Sequence, residues 1–172
     1  MIKTIKSLNE SKYDYIYKLF FYVIFYYTCV ALYLTFDIAQ SPDFEKYYKY
    51  FEYYSGKIDK TGLEQGNLYF FFHYIISVII SSFMDDRTVN EIINVSVHLV
   101  NSIIFLFGLV GFQKILKFKK YKTSYIYLVL TIVCFLPASI QLRLTLKPEI
   151  IAFSLLGWTF YHLSKYLSSN NQ

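Results

Sequence analysis

Long uncharged runs of apolar residues alternate with short charged stretches along this chain. The runs lie at residues 19–36, 68–84, 92–113, 123–140 and 150–164. Most of them approach the roughly 20 residues that a helix needs to cross the hydrocarbon core of a bilayer. The pattern therefore predicts an all-α, polytopic membrane protein in which the whole chain, 1–172, forms a single transmembrane domain.

The charged stretches between the runs predict the orientation of the helices. Residues 114–122 carry five lysines and no acid, and the N-terminal segment is also rich in lysine, so both belong on the cytoplasmic side. Residues 37–67 and 85–91 are richer in acids and belong outside. An even number of crossings must separate the two lysine-rich segments. Three apolar runs lie between them, so one run does not cross.

The run at 68–84 is the best candidate for the helix that does not cross, because acid-rich loops flank it on both sides. The resulting prediction has about four spanning helices and a cytoplasmic N-terminus. One external loop, 37–91, then holds two in-plane or re-entrant helices. Five crossings are the alternative, but they place the five-lysine segment outside, against the positive-inside tendency.

The first of the two external helices is marked by its own sequence. Aromatic residues recur at helical spacing from Phe44 to Tyr54, with charged residues on the opposite side, as in an amphipathic interfacial helix. Ser41 suits the N-cap, Pro42 the first turn and Gly56 the end of this helix.

Composition supports the membrane assignment over a soluble or nucleic-acid-binding protein. Hydrophobic residues make up 55% of the chain and charged residues 17%, against about 25% charged in an ordinary soluble domain. The chain has 19 tyrosines, and the amphipathic tyrosine ring is favoured at the depth of the lipid headgroups. The net charge of +5 comes from lysines beside apolar runs, where the positive-inside tendency explains it, so nucleic acid is not an expected partner.

Two groups of charged residues at the predicted outer face are candidates for chemistry. Asp37 and Asp43 follow the first span, where a carboxylate can take a proton from a hydroxyl or bind a divalent cation. The alternative is that Asp43 complements a helix dipole and Asp37 is an ordinary interfacial charge. Arg143, Lys147 and Glu149 lie between the last two runs, where the two cations either hold a lipid phosphate or extend to the interface.

A polar stripe runs through the third apolar run. Asn94, His98 and Asn101 are four and three residues apart, so they share one face of a helix. Polar groups that face lipid are costly, and we expect this stripe to hydrogen-bond to neighbouring helices, with a wet cavity as the second interpretation. His73 is isolated among aromatics, either as a structural residue or near a site.

The order of these parts resembles the N-terminal module of the C-type glycosyltransferases, the multispan enzymes that take sugars from polyprenyl-phosphate donors. Residues 41–56, which begin Ser-Pro-Asp-Phe-Glu-Lys-Tyr-Tyr and end at glycine, are similar to the acid, aromatic and glycine stretch of the family's first external loop. Residues 66–74 (Gly-Asn-Leu-Tyr-Phe-Phe-Phe-His-Tyr) resemble the start of its second in-plane helix. Residues 147–153 (Lys-Pro-Glu-Ile-Ile-Ala-Phe) resemble its basic-Pro-Glu phrase at an outer helix start.

The resemblance implies transfer of a sugar from a lipid-linked phosphate donor at the outer face of the plasma (inner) membrane. By that match Asp43 is the acid that activates the acceptor or holds a divalent metal cation, and Arg143 and Lys147 contact the donor phosphate. Glu149 shapes the same pocket, and Asp37 and His73 complete the substrate-binding set.

Members of this family usually have more spans, so the resemblance implies a truncated product, one half of a split enzyme with a second membrane subunit, or a relic without activity. A non-catalytic scaffold or lipid-carrier-binding subunit is the alternative. A small transporter is less favoured, because no spanning run has a central charge.

Overall fold

The computed structural model describes residues 2–41, 44–59, 67–84 and 86–169, and its regular structure over these ranges is entirely helical. The helices are α1 (Ile2–Thr35), α2 (Phe44–Tyr54), α3 (Asn67–Ser81), α4 (Val89–Phe118), α5 (Thr123–Phe135), α6 (Pro137–Leu144) and α7 (Glu149–Ser169). A short 3-10 helix, Ile38–Gln40, links α1 to α2. The predicted all-α class is confirmed.

Within the described ranges, two helices are long and apolar enough to cross a membrane, Tyr13–Thr35 of α1 and Val89–Phe118 of α4. The pair α5 and α6 gives a third if it counts as one span, although its two parts meet at an angle of 62°. The helix α7 is not apolar enough to count among these helices, because polar residues such as Thr159 and His162 interrupt its apolar sequence. Four spanning helices are therefore not confirmed.

Contacts between side chains fix the direction of α1 and α5. The hydroxyl of Thr123 donates to Asp14 Oδ2 at 3.0 Å, and the rings of Phe21 and Tyr127 lie 5.7 Å apart. The two helices therefore run side by side in the same direction. We call the end of the bundle that contains Asp14 and Thr123 the lysine-rich end.

The long helix α4 runs in the opposite direction to α1. Phe25 stacks on Phe105 with ring centroids 6.5 Å apart, and His98, nearer the start of α4, contacts the backbone of Phe36 just beyond the end of α1. The 3-10 helix and the start of α4 thus lie together at the other end of the bundle, which we call the loop end.

The helix α3 follows only part of α4. The hydroxyl of Tyr69, near the start of α3, donates to Asn101 Oδ1 at 2.7 Å, and Ser96 Oγ donates to the carbonyl of His73 at 2.9 Å. The helix therefore begins beside Asn101 and runs back towards the loop end. Its 15 residues cover roughly 22 Å, which is less than the thickness of the hydrocarbon core. That this run does not cross stays a prediction.

The apolar face of α2 packs on protein rather than lying free for lipid. Phe44 and Phe51 are buried as the amphipathic pattern predicts, and Tyr50 is also buried, stacked on Phe70 of α3 at 4.3 Å. The helix ends at Gly56, whose φ of +74° suits glycine, and the bonds from Gly56 N to Tyr53 O and from Lys57 N to Glu52 O form a Schellman motif. The predicted helix and its end are confirmed, and Pro42 lies outside the described residues.

Several helix limits differ from the apolar runs. The helix α1 begins at Ile2 rather than near residue 19. Charged residues such as lysine and glutamate limit the segment that can lie in lipid, but they are compatible with a helix, so the helix extends beyond the apolar run. The helix α4 begins at Val89, where Thr88 and Glu91 form a capping box. The run 123–140 is two helices, since Leu136 is extended and Pro137 begins α6.

Three glycines allow α4 and α7 to approach closely. A Cβ on Gly108 would lie 2.9 Å from Ser154 Cα, and a Cβ on Gly111 would lie 2.8 Å from the backbone of both Gly157 and Trp158. The order of these contacts shows that α7 runs in the same direction as α4. Close backbone approach through small residues is how helices associate where both are surrounded by lipid.

Candidate functional site

The polar stripe on α4 bonds the backbones of three neighbouring elements. Asn94 Oδ1 accepts from Ile38 N at 2.9 Å, and Asn101 Nδ2 donates to the carbonyls of Arg143 and Thr145 at 3.1 and 2.9 Å. His98 Nε2 lies 3.0 Å from the carbonyl of Phe36. A carbonyl only accepts, so this nitrogen carries the proton. The expectation that the stripe faces other helices is confirmed.

Arg143 lies inside the bundle, with 1% of its surface exposed. It belongs to the last turn of α6, and the bend at Pro137 turns that helix so that the side chain reaches α1. Its Nη1 donates to Thr28 Oγ1 at 3.1 Å and its Nη2 to Cys29 Sγ at 3.0 Å. The interpretation in which this arginine extends to the interface is wrong.

Two aromatic rings flank the guanidinium of Arg143. Its central carbon lies 5.2 Å from the ring centroid of Phe25 and 5.4 Å from that of Phe105, within range of a cation–π interaction. Its Nε is buried without a hydrogen-bond partner among the described residues. Among those residues the only ion pair joins Arg87 to Glu91, so the described part of the chain supplies no carboxylate for this cation. A buried cation in this state is strongly anion-seeking.

An apolar groove of about 540 Å³ runs beside this cation between α1 and α4. Phe25 and Cys29, which contact the guanidinium, form part of its wall, and His98 lies on the opposite wall. The remaining lining is chiefly aliphatic and aromatic. The groove suits a hydrocarbon chain, and Arg143 lies directly behind its α1 wall.

His73 is fully buried where α3 meets α4. Its ring packs edge-on against Tyr69 with centroids 4.4 Å apart, and neither ring nitrogen has a hydrogen-bond partner among the described residues. The amide of Asn101 lies close by, but its N–H groups donate to the carbonyls of Arg143 and Thr145. Burial lowers the pKa of His73 from 6.5 to about 3, and Asn101 offsets only part of this change, so the imidazole is neutral at physiological pH.

The other predicted site residues lie at or near the surface. Asp37 is exposed and its Oδ1 accepts from Ala39 N at 2.9 Å, which caps the 3-10 helix. Lys147 is half-buried, and Glu149 is exposed in the first turn of α7. Asp43 lies outside the described residues. Asn101 thus bonds to the backbone of Arg143 and lies close to His73 without a bond to its ring nitrogens, whereas Asp37 lies near His98.

The described residues do not supply a metal site. No group of three or more His, Cys, Asp or Glu side chains in the described ranges is placed to hold a metal ion. One carboxylate oxygen of Asp37 also accepts the hydrogen bond that caps the 3-10 helix. Divalent metal binding at Asp43 stays a prediction.

Sequence reasoning did not find the α1 partners of Arg143. Thr28 and Cys29 lie inside an apolar run, where a threonine or cysteine is an ordinary packing residue. Thr28 Oγ1 also donates to the carbonyl of Phe25 at 2.8 Å, the local bond that such a residue makes in any helix. No sequence signal distinguishes these two residues from other small residues of α1.

Comparisons of the chain with protein-family models, with curated proteins and with solved structures give no match.

Proposed function

We propose that the chain holds a polyprenyl-phosphate-linked sugar in the groove between α1 and α4 and takes part in transfer of that sugar at the outer face of the plasma membrane. The observation that carries the proposal is the buried Arg143 beside an apolar groove of about 540 Å³. A hydrocarbon chain with a phosphate at one end matches both parts of this site.

The proposal needs the loop end of the bundle to lie outside the cell. In that topology α1, α4, the pair α5 and α6, and α7 cross, and α3 stays within the outer leaflet. Two contacts support it: Asp14 meets Thr123 beside the five-lysine segment, and α3 pairs with only the first part of α4. Both lysine-rich segments are then cytoplasmic, in line with the positive-inside tendency.

The chemistry assigned to this module is displacement at the anomeric carbon of the donor sugar. The acceptor oxygen forms a bond to that carbon while the bond from the carbon to the phosphate oxygen breaks, and the phosphate leaves with the electron pair. Asp43 takes the proton of the acceptor hydroxyl. Arg143 and Lys147 stabilise the charge that develops on the leaving phosphate, and Glu149 shapes the pocket. A divalent metal at Asp43 would supply a Lewis acid when bound.

Asp43→Asn tests the catalytic part. In membranes that contain the chain with its native partners, we expect this variant to lose sugar transfer while it still binds the lipid donor, because only the proton acceptor is removed. Asp86→Asn, in the same external loop, is the matched control and should keep activity. Retained transfer by Asp43→Asn would remove this residue from the reaction.

Arg143→Met tests the binding part. Methionine fills much of the same volume, so the fold should persist, while loss of a charge-assisted contact should weaken binding of a polyprenyl phosphate roughly 10-fold or more. Polyprenol without the phosphate is the matched ligand and should bind both forms equally. Unchanged phosphate binding in a folded Arg143→Met protein would contradict the site.

A non-catalytic subunit that binds the lipid carrier is the second candidate. It is favoured by the bonds of Arg143 to Thr28 and Cys29, which let the cation hold helices together as well as attract a ligand. Binding of the lipid-linked sugar with no turnover in any partner-containing membrane, and with Asp43→Asn indistinguishable from the unchanged chain, would select this candidate.

A further inference from the structure

The lysine-rich end of the bundle concentrates positive charge on one turn. Lys117, in the last turn of α4, and Lys119, Lys120 and Lys122, between α4 and α5, are all exposed, and we call these four residues the lysine turn. Asp14 is close to this turn, but its carboxylate accepts from Thr123 rather than from a lysine. None of the four lysines forms an ion pair within the described part of the chain.

The backbone holds the lysine turn in a fixed shape. Lys120 N donates to Lys117 O at 2.9 Å and Tyr121 N to Leu116 O at 3.1 Å, which forms a Schellman motif with Lys120 at the left-handed position. The φ of Lys120 is +60°, a conformation that costs a side-chain-bearing residue about 1 kcal/mol and that glycine adopts freely. A strained residue of this kind points towards a function for its side chain.

Aromatic rings accompany the lysines at this end. Tyr121 and Tyr125 stack with centroids 5.5 Å apart, and each has about half of its surface exposed. The ammonium of Lys114 lies 5.1 Å from the ring centroid of Trp158 and 5.6 Å from that of Tyr161. Tyrosine and tryptophan next to lysine are the side chains that settle at the headgroup layer of a membrane. The charges therefore lie at the depth where phosphates of phospholipids are found.

The N-terminus of α5 adds a further attraction for anions. This helix begins directly after Lys122, and no side chain caps it through its N-cap residue. The positive end of its dipole therefore lies at the same turn as the lysines, where the Asp14 carboxylate bonded to Thr123 offsets part of it. Fixed backbone donors and flexible cations together suit a phosphodiester group.

We propose that the lysine turn is a binding site for anionic phospholipid headgroups of the adjoining leaflet, such as phosphatidylglycerol. The phosphodiester contacts the lysine ammonium groups near the start of α5, and the glycerol backbone lies against the exposed Tyr121 and Tyr125. The site is at the opposite end of the bundle from the external loop, and its existence does not depend on sugar transfer.

Native mass spectrometry of the full chain with added lipid tests the site. We expect phosphatidylglycerol to bind more tightly than phosphatidylcholine of the same acyl chains. With a contribution of about 1 kcal/mol from each lysine near an anionic headgroup, the combined change Lys119→Gln, Lys120→Gln and Lys122→Gln should weaken phosphatidylglycerol binding roughly 100-fold. Phosphatidylcholine binding should not change.

Two variants and one ligand serve as controls. Replacing the same three lysines by arginine keeps the charge and should keep binding, which separates the charge effect from loss of fold. Lys49→Gln with Lys57→Gln removes two exposed cations near the loop end and should leave binding unchanged. Inorganic phosphate at millimolar concentration should not compete, because the glycerol and acyl parts contribute to the affinity.

Three outcomes would overturn the proposal. The first is equal affinity for the two lipids in the unchanged chain. The second is full phosphatidylglycerol binding by a folded triple glutamine variant. The third is complete competition by inorganic phosphate, which would assign the turn to a free anion instead of a lipid.

Discussion

The long helix α4 contacts its neighbours through different chemistry in its two halves. Between residues 89 and 101 it extends polar side chains to the backbones of the segment after α1, of α3 and of the end of α6, whereas from Gly108 onwards glycines let α7 approach its backbone. The polar contacts hold three separate chain segments to α4 through individual hydrogen bonds. Close packing instead holds α7 to α4 through backbone contact at several glycines. The half that carries the polar contacts is the half with a groove and a buried cation.

The two halves of α4 can be disrupted independently by single substitutions. The single tryptophan, Trp158, lies only in the glycine half, where its Nε1 donates to the carbonyl of Phe107 at 3.0 Å. Its fluorescence therefore reports on that half alone. Unfolding in mixed detergent micelles reports on the whole bundle.

Gly111→Val should have the largest effect, a loss of about 3 kcal/mol in the free energy of unfolding. A Cβ at this position would lie 2.8 Å from backbone atoms of Gly157 and Trp158, which cannot rotate away. We also expect a shift of the Trp158 emission maximum. Ala152→Val, on an exposed position of α7, is the control and should stay within about 0.5 kcal/mol. Normal emission and normal stability of Gly111→Val would refute close packing in this half.

Asn101→Leu should cost about 2 kcal/mol, with no shift of Trp158 emission. It removes three hydrogen bonds, to Tyr69, Arg143 and Thr145, and such bonds contribute about 0.6 kcal/mol each within a membrane. Ser102→Ala, at the next position, should change stability little. A change of emission as large as that of Gly111→Val would show that the two halves are coupled.

Acid should weaken the polar half through His73. Because burial lowers its pKa from 6.5 to about 3, the unfolded chain takes up the proton first as the pH falls. The stabilisation is complete above pH 6.5 and declines towards pH 3 at about 1.4 kcal/mol per pH unit, which amounts to about 2 kcal/mol at pH 5. His73→Phe should remove this part of the pH dependence, and an identical profile for both proteins would exclude His73 as its source.

Lys120→Gly should have the smallest effect, a gain of about 1 kcal/mol, because glycine adopts the observed φ of +60° without strain. Lys119→Gly is the matched control, since φ at that residue is −77° and glycine offers no such relief there. If Lys120→Gly gains stability but binds phosphatidylglycerol more weakly, the lysine side chain contributes to lipid binding at the expense of stability. A loss of stability would contradict the left-handed conformation.

Local sequence signals predicted the short helix α2 in detail. An amphipathic pattern with a glycine at its end depends on neighbours within a few residues, and both Gly56 and the buried Phe51 appear as expected. The limits of α1 and α7 were wrong, because a run of apolar residues measures the lipid-facing segment and not the length of the hydrogen-bonded helix.

The candidate site was predicted only in part. Asn94, His98 and Asn101 were recognised because their spacing places them on one helix face. The burial of Arg143 was not, since it results from the turn of α6 towards α1, which depends on packing between residues more than a hundred positions apart. The sequence also offered no reason to connect His73 to Asn101.

The bend at Pro137 has a consequence for the membrane itself. The 13 residues of α5 advance roughly 20 Å along their axis, and the 8 residues of α6, inclined at 62°, add only roughly 6 Å. For α5 aligned with the bilayer normal, this total falls short of the roughly 30 Å of hydrocarbon that a straight helix would cross. In the proposed topology, in which α5 and α6 cross together, lipid beside α6 is expected to thin locally, which brings headgroups and water closer to the depth of Arg143.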